Sequence, residues 1–316
     1  MKLLITGCAG FIGANFTKYW LDKYPTDTVV GVDLLTYAAN IDALEMLKKE
    51  KRFSFYRADI ADGAEMDRIF ALERPSVVVN FAAESHVDRS IECSAPFLRT
   101  NVLGTGVLLD CAVKYSARFH QISTDEVYGD LPLDSCESFT EESSLSPSSP
   151  YSASKAAADM LALSYLRTHG LFVTISRSSN NYGIYQHCEK LIPKTAHAAL
   201  SDSPIGLYGD GKNVRNWLHV SDHCTAVDLI LKSGQPGKIY NVSGGTELSN
   251  LALVKRILSI LNKPEELITF VGDRPGHDRK YSVSSDKLSR ELGWREEKVF
   301  DLAIEDTIKW YRNNRK

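Results

Sequence analysis

Short apolar runs alternate with longer amphipathic stretches from the first residue to Arg177. The apolar runs are nearly continuous, which is typical of parallel strands that are buried on both faces. They lie at 2–6, 28–33, 53–57, 76–80, 118–123 and 171–176. The stretches between them have helical periodicity, at 11–23, 40–50, 62–72, 93–115 and 151–169. This alternation predicts an α/β fold with a doubly wound parallel sheet.

Beyond Arg177 the alternation ends, and residues 178–218 are rich in Asn, Gly, Pro and Tyr. We interpret residues 1–178 as a cofactor-binding domain and 179–316 as a smaller mixed lobe that binds the substrate. Part of 215–245 is expected to return to the first domain. The elements predicted in this lobe are helices at 191–201, 222–232, 248–261, 285–292 and 299–312 and a strand at 239–242.

Composition excludes several classes of function. The net charge of −3 gives no reason to expect a nucleic acid partner. No apolar run approaches the roughly 18–20 residues of a membrane span, and a strand begins too early to leave room for a signal peptide. The six cysteines are scattered without paired spacing, which favours reduced thiols and a cytoplasmic location.

A glycine loop follows the first predicted strand. Gly7, Gly10 and Gly13 open the first predicted helix, where backbone N–H groups can approach a pyrophosphate. Asp33 ends the second strand, twenty residues after Gly13, as expected for a carboxylate that binds an adenosine ribose. No Arg or Lys lies in 34–39 to bind a 2′-phosphate, so a Rossmann-like site for NAD rather than NADP is predicted. A glycine-rich turn without a ligand is the alternative, and Asp59 is a weaker candidate for the adenine edge.

Tyr151 and Lys155 are four residues apart on a predicted helix and share one face. An ammonium group near a phenol favours the phenolate, so we expect Lys155 to lower the pKa of Tyr151. The pair would then take a proton from a sugar hydroxyl during hydride transfer.

Thr124, Asp125 and Glu126 follow the strand at 118–123, and the carboxyl ends of parallel strands face the ligand crevice. Two neighbouring acids can be held in different protonation states. Asp125 could then donate a proton to a leaving hydroxyl while Glu126 removes one from carbon. A solvated acidic loop is the alternative interpretation.

These motifs together resemble the extended short-chain dehydrogenase/reductase family, over almost the whole chain. Within it they are most similar to the nucleotide-sugar 4,6-dehydratases that act on dTDP-glucose. The resemblance rests on TGCAGFIG at 6–13, FAAESHVDRSI at 81–91, STDEVYG at 123–129, YSASK at 151–155, RSSNNYG at 177–183 and DRPGHDRKY at 273–281.

The resemblance implies a set of site residues. Thr124, Asp125, Glu126, Tyr151 and Lys155 would be catalytic. The cofactor would contact Gly7, Gly10, Phe11, Ile12, Gly13, Asp33, Leu34, Thr36, Asp59, Ile60, Phe81, Ala82, Ala83, Ser85, Thr100, Tyr151, Lys155 and Asn181. The substrate would contact Ser85, His86, Thr124, Asn180, Lys190, Leu191, Tyr208, Arg215, Asn250, Arg274 and His277. Among these, Lys190, Arg215 and Arg274 are cations suited to a diphosphate.

The implied activity is NAD-dependent 4,6-dehydration of a nucleotide hexose, with dTDP-glucose expected first and UDP-glucose or UDP-GlcNAc as alternatives. A 4-epimerase, a decarboxylase and, last, a non-catalytic NAD-binding scaffold remain open. The resemblance also implies a homodimer that pairs the helices at 93–115 and 151–169. His219 and His223 have metal-ligand spacing but no evident third ligand, so no metal is expected.

Overall fold

The computed structural model describes residues 1–314, which form twelve strands and twelve helices. The strands are β1 Lys2–Thr6, β2 Thr28–Asp33, β3 Phe53–Arg57, β4 Val77–Asn80, β5 Arg118–Thr124, β6 Val173–Ser178, β7 Asn180–Tyr182, β8 Ile205–Tyr208, β9 Val214–His219, β10 Ile239–Val242, β11 Thr246–Ser249 and β12 Ile268–Val271.

The helices are α1 Phe11–Lys23, α2 Ile41–Leu47, α3 Gly63–Glu73, α4 Val87–Glu92, α5 Ala95–Phe97, α6 Thr105–Lys114, α7 Pro150–His169, α8 Leu191–Leu200, α9 Val220–Ser233, α10 Asn250–Leu261, α11 Asp286–Leu292 and α12 Phe300–Asn313. A π-helical segment, Leu98–Gly104, joins α5 to α6.

Seven parallel strands form the main sheet of the described chain, in the order β10-β6-β5-β4-β1-β2-β3. The predicted Rossmann-like α/β fold is therefore confirmed. A smaller mixed sheet has the order β11-β9-β7, and β12 pairs with β8. The strand order reverses between β1 and β4, the position at which a doubly wound sheet binds its ligand.

The continuous apolar runs are explained by two cores, one on each face of the sheet. Leu4 of β1 packs into the core under α3, α6 and α7, whereas Leu3 and Ile5 pack into the core under α1 and α9. Because neighbouring side chains of a strand point to opposite faces, both faces of β1 must be apolar. Each fully buried Leu or Ile contributes about 1.5–3 kcal/mol to stability.

The chain crosses between the two sheets more than once. After the first six strands it enters β7–β9, and it then returns through α9, which packs on α1, and β10, which pairs with β6. The buried Asp228 of α9 binds α1, since its carboxylate accepts hydrogen bonds from the Tyr19 hydroxyl at 2.8 Å and the Lys23 ammonium at 2.7 Å. The division of the chain at residue 178 stays a prediction.

The helix predicted at 93–115 is confirmed as one continuous helical run from Ala95 to Lys114, which contains the π-helical segment. Cys93 has extended backbone and ends α4, and Pro96 lies in the first turn of α5, where its missing N–H costs nothing. The π-helical turn then places the Asn101 amide in the interior, where it donates to the Glu84 carbonyl at 3.0 Å and the Ser154 hydroxyl at 2.8 Å. Side-chain bonds of this kind leave no trace in hydrophobic periodicity.

Five short strands of the second half, β7, β8, β9, β11 and β12, were not predicted as strands. Each has three to six residues, and β9 reads Val-Arg-Asn-Trp-Leu-His, in which polar side chains are buried together with apolar ones. Polar strands of this length resemble loops in a sequence. Within residues 1–314, no helix is both long enough and apolar enough to cross a membrane.

Candidate active site

The glycine loop forms a cradle that a side chain would fill. Gly7 has φ +65°, and a Cβ there would lie 2.7 Å from the Ala82 nitrogen. A Cβ on Gly13 would lie 2.2 Å from the Gly7 carbonyl oxygen. Helix α1 begins directly after Gly10, and no side chain caps its first N–H groups. Free N–H groups at a helix N-terminus bind anions, so the loop fits the pyrophosphate of a dinucleotide.

Asp33 ties the end of β2 to this loop. Its carboxylate accepts hydrogen bonds from the Ala9 N–H at 2.9 Å and the Leu35 N–H at 2.8 Å. Burial raises its pKa, and the two N–H donors oppose that shift. Leu34 and Thr36 lie exposed beside it. Contact with an adenosine ribose stays a prediction for these residues.

A cavity of about 250 Å³ runs from the glycine loop to the end of β5. It contains most of the residues predicted for the cofactor and the chemistry: Gly7, Gly10, Phe11, Ile12, Gly13, Phe81, Ala83, Ser85, Thr124, Asp125, Glu126, Tyr151, Lys155 and Asn181. The predicted residues outside its wall are Asp33, Leu34, Thr36, Asp59, Ile60, Ala82 and Thr100. Among these, Asp59 pairs with Arg99 at 2.9 Å.

Helix α7 brings Tyr151 and Lys155 into this cavity on one face. The Lys155 ammonium donates to the Ile122 carbonyl at 2.5 Å, and burial lowers its pKa to about 8. The expectation that the pKa of Tyr151 is lowered is wrong for the protein alone. Burial raises it above its usual value, and the charges of Glu126 and Asp125 raise it further, whereas a hydrogen bond with Thr124 lowers it.

Asp125 and Glu126 form a short 3₁₀ turn at the end of β5. The Thr124 hydroxyl accepts the Glu126 N–H at 3.3 Å and fixes the turn. Burial, followed by the charge of Glu126, raises the pKa of Asp125 to about 8. One Asp125 oxygen, Oδ2, is buried without a hydrogen-bond partner among the described residues. The environment of Asp125 therefore favours its protonated form.

Glu126 lies in a different electrostatic environment. Burial raises its pKa above the usual value, and the charges of Arg274, Lys190 and Arg215 oppose that rise without cancelling it. Arg274 lies in the loop after β12, Lys190 precedes α8 and Arg215 lies on β9, so all three cations come from the second half of the chain. The pKa values of both acids are thus raised, but three cations oppose the rise at Glu126, whereas among them only Arg215 opposes it at Asp125.

A second cavity, of about 190 Å³, continues the first. Ser85, Glu126, Asn180, Glu189 and Lys190 line both. All of the predicted substrate residues except Thr124 line the second cavity: Ser85, His86, Asn180, Lys190, Leu191, Tyr208, Arg215, Asn250, Arg274 and His277. Glu126 thus lies where a cofactor cavity meets a basic cavity.

The cations of the second cavity are held in place by backbone and acid partners. The Lys190 ammonium donates to the Ser85 carbonyl at 2.8 Å. Arg215 donates to the Asp278 carbonyl at 3.0 Å and lies over the Tyr281 ring. Arg274 pairs with Asp88 at 3.3 Å. The remaining N–H groups of these cations give the cavity the chemistry of a diphosphate site.

Sequence reasoning missed several residues that line the two cavities. Glu189 lies between His86 and His187, at 3.5 Å from each ring nitrogen, and Asp88 also accepts the Tyr208 hydroxyl at 2.9 Å. The sequence could have identified Asp88 and Glu189 by their position next to predicted site residues, in the motifs HVDRS and EKLIP. The others missed include Ala38, Val87, Gln186, His187, Lys194, Trp217 and Tyr281.

The two histidines with metal-ligand spacing have other partners. His219 is itself the N-cap of α9, where its ring nitrogen accepts the Ser221 N–H at 3.2 Å. His223 is buried and bonds to the Asn181 amide oxygen at 2.9 Å. No group of three metal-binding side chains occurs within residues 1–314.

The fold and site define an NAD-dependent enzyme of the short-chain dehydrogenase/reductase type. The sequence pattern of the family described as GDP-mannose 4,6 dehydratase matches residues 4–307. The dTDP-glucose 4,6-dehydratase of Haemophilus influenzae is 46% identical, over 99% of this chain and 98% of its own length. The chain therefore belongs to the GDP-mannose 4,6-dehydratase family of extended short-chain dehydrogenase/reductases, and the resemblance found in the sequence is confirmed.

Comparison with solved structures agrees with this family assignment. DesIV, a dTDP-glucose 4,6-dehydratase from Streptomyces venezuelae solved with NAD and TYD bound, has a TM-score of 0.96 and 45% identity, covering 100% of this chain and 98% of that one. UDP-glucose 4-epimerase from Thermotoga maritima has a TM-score of 0.92 but 27% identity, covering 100% of both chains. The fold is thus shared with epimerases, whereas sequence similarity is higher to dehydratases.

Replacing Asp125 by Asn is expected to flatten the pH dependence of stability. The folded-state pKa of about 8 lies above the value of about 3.9 for an unfolded aspartate, so the folded protein binds one more proton between them. The free energy of unfolding therefore falls as pH rises through this window. Asp125→Asn should remove a slope of up to about 1.4 kcal/mol per pH unit.

Urea unfolding at several pH values between about 5 and 7 measures this slope. Asp134→Asn, at an exposed position, is the control and should keep the wild-type slope. Equal slopes for Asp125→Asn and the wild type would contradict a protonated Asp125.

Proposed function

We propose that this protein is a nucleotide-sugar 4,6-dehydratase that converts dTDP-glucose to its 4-keto-6-deoxy product. The observation that carries the proposal is that two neighbouring carboxyl groups, Asp125 and Glu126, line one cavity with Tyr151 and Lys155, and that three cations act on Glu126. An elimination between two redox steps needs this acid–base pair. Bound NAD supplies the hydride acceptor for the first step and the hydride donor for the last.

Tyr151 is the base of the first step. It removes the proton of the C4 hydroxyl while the hydride on C4 leaves. In the protein alone, burial and two acids raise the pKa of Tyr151. The positive charge that favours its phenolate comes from Lys155 and from the oxidised nicotinamide ring. The hydrogen bond with Thr124 supports the phenolate further.

Glu126 and Asp125 carry out the elimination. The new C4 ketone acidifies the C5 proton, and the Glu126 carboxylate removes it. Asp125 gives its proton to the departing C6 hydroxyl, so one water leaves and a C5–C6 double bond forms. A hydride then adds to C6, and Glu126 returns its proton to C5. Asp125 must regain a proton before the next turnover.

The second cavity supports the choice of substrate. Its cations Lys190, Arg215 and Arg274 suit a diphosphate, and Glu126 at its inner end places the sugar next to the cofactor cavity. A 4-epimerase on this scaffold uses Tyr and Lys but has no evident need for the acid pair. A non-catalytic NAD-binding scaffold has no need for any of the four groups.

Incubation of the purified protein with dTDP-glucose, UDP-glucose and UDP-GlcNAc tests the proposal. We expect dTDP-glucose to be consumed fastest, with loss of one water by mass spectrometry and a new C6 methyl signal by NMR. An epimer of unchanged mass would overturn the dehydratase assignment. Faster turnover of a UDP-sugar would keep the reaction and change the nucleotide.

Replacing Glu126 by Gln should stop the reaction after oxidation. Gln keeps the shape of the side chain but cannot accept the C5 proton, so turnover should fall on the order of 100-fold to 10,000-fold. The absorbance of reduced nicotinamide should then accumulate on the enzyme in the presence of substrate. Glu142→Gln, at an exposed position, should behave as the wild type. If Glu126→Gln also prevents nicotinamide reduction, Glu126 is not simply the C5 base.

We further propose a cytoplasmic homodimer. All six cysteines, which lie within the described residues, are free thiols, in keeping with a reducing compartment. Large apolar side chains are exposed on α7 and on the π-helical segment against which α7 packs: Met160 at 46%, Leu98 at 53% and Leu103 at 53%. Such a surface favours association with a second copy of the chain.

The double variant Leu103→Glu/Met160→Glu is expected to be monomeric, because burying two carboxylates in an apolar interface is unfavourable. Light scattering after size-exclusion chromatography measures the mass. Leu72→Glu, at a position of α3 that is 63% exposed, is the matched control and should leave the mass unchanged. A wild-type monomer, or a double variant that stays dimeric, would contradict this interface.

A further inference from the structure

An ion pair lies buried directly behind the catalytic pair. Asp159 follows Lys155 by four residues on α7, so Tyr151, Lys155 and Asp159 share one face of the helix. Asp159 is fully buried, and one of its oxygens, Oδ2, accepts hydrogen bonds from Arg177 at 2.9 Å and from the Ser123 hydroxyl at 3.0 Å. The first cavity is lined by Ser123, Tyr151 and Lys155. Neither cavity is lined by Asp159 or Arg177.

The other Asp159 oxygen, Oδ1, accepts no hydrogen bond from the described residues. Two donors bind one oxygen, so the carboxylate keeps acceptor capacity on the side that is not bonded to Arg177. A buried ion pair is weak evidence for a contribution to stability, since apolar side chains of the same volume are often as stable. Its position one helical turn from the catalytic lysine suggests a different role.

We propose that Asp159 is a positioning residue for Lys155, because its buried carboxylate, one helical turn away, keeps the lysine in its charged form. The inference rests on the proposed role of Lys155 in the oxidation step. Asp159 touches neither substrate nor cofactor cavity, and it acts through Lys155.

The electrostatic balance at Lys155 supports this role. Burial lowers the pKa of Lys155 to about 8, and the charge of Asp159 opposes that shift. Without Asp159 the ammonium group would have the Ile122 carbonyl as a partner but no anion to offset its burial. The elements packed around α7 carry further titratable groups. They are Tyr151, Tyr165, Arg167 and His169 on α7, Arg118 and His120 on β5, Asp125 and Glu126 after β5, Arg177 on β6, Asp88, Arg89 and Glu92 on α4, Arg99 on the π-helical segment, and Asp110, Cys111 and Lys114 on α6.

Arg177 is fixed from its far side. Its Nη1 donates to the Tyr128 hydroxyl at 3.0 Å, and its guanidinium lies 4.9 Å from the centre of the Tyr128 ring. The Tyr128 hydroxyl in turn donates to the Asn241 amide oxygen of β10 at 2.8 Å. Because Arg177 is anchored in this way, its ion pair keeps the Asp159 carboxylate of α7 in a fixed position.

Asp159→Asn tests the proposal through the pKa of Lys155 itself. Protein labelled with ¹³C at lysine Cε is titrated by NMR, and the Lys155 signal is assigned from its absence in Lys155→Met. We expect the pKa of Lys155 to fall by about one unit or more in Asp159→Asn, since the opposing anion is lost. The alkaline limb of nicotinamide reduction by substrate should shift towards acid by a similar amount, with KM within about twofold.

Two further variants separate this role from a structural one. Asp228→Asn removes an equally buried, hydrogen-bonded aspartate between α1 and α9, and it should leave the Lys155 titration unchanged. Asp159→Asn/Arg177→Gln leaves no unpaired buried charge, so it keeps the test open if Asp159→Asn does not fold. In this double variant the pKa of Lys155 should still be lowered.

An unchanged Lys155 pKa in a folded Asp159 variant would overturn the inference. A lowered pKa in a protein that dehydrates none of the nucleotide sugars would support the role of Asp159 and overturn the proposed function. The NMR titration and the activity assay thus distinguish the two failures.

Discussion

The burial of ionisable groups at the carboxyl end of β5 is the constraint on which the site depends. Removal from water raises the pKa of Asp125 and lowers that of Lys155, so both values come to about 8 although the groups are of opposite type. A solvated loop with the same residues would leave an ionised aspartate and a permanently charged lysine. The sheet and α7 exclude that water, and their packing therefore sets the chemistry as much as the identity of the side chains does.

The two halves of the chain contribute different parts of this environment. The doubly wound sheet supplies the glycine cradle, the Asp125–Glu126 turn and α7. The second half supplies Lys190, Arg215 and Arg274, the cations that oppose the rise in the pKa of Glu126. These cations also suit a diphosphate, so the groups that would hold the nucleotide part of the substrate also act on the base that would attack its sugar. In the proposed reaction, binding and chemistry are coupled through Glu126, because this residue lines both cavities.

The sequence was most informative where a local pattern has one structural meaning. Continuous apolar runs predicted the first six strands, and YSASK placed Tyr151 and Lys155 on one helical face. It was least informative where tertiary contacts decide. The pKa of Tyr151 depends on burial and on Glu126 and Asp125, which distance along the chain does not reveal. The π-helical turn around Asn101 depends on hydrogen bonds to the Glu84 carbonyl and the Ser154 hydroxyl. Strand β9 was missed because its buried polar residues give it the sequence pattern of a loop.

The return of the chain to the main sheet has a consequence for its folding. Strand β10 covers the outer edge of β6, and it is synthesised about sixty residues after β6 is complete. Until then the nascent sheet carries a row of unpaired N–H and C=O groups on β6, the strand that bears Arg177. A ribosome-bound fragment that ends near residue 230 therefore leaves the edge of β6 unpaired. Strand β10 can cover that edge only after the chain has passed through β7–β9 and α9.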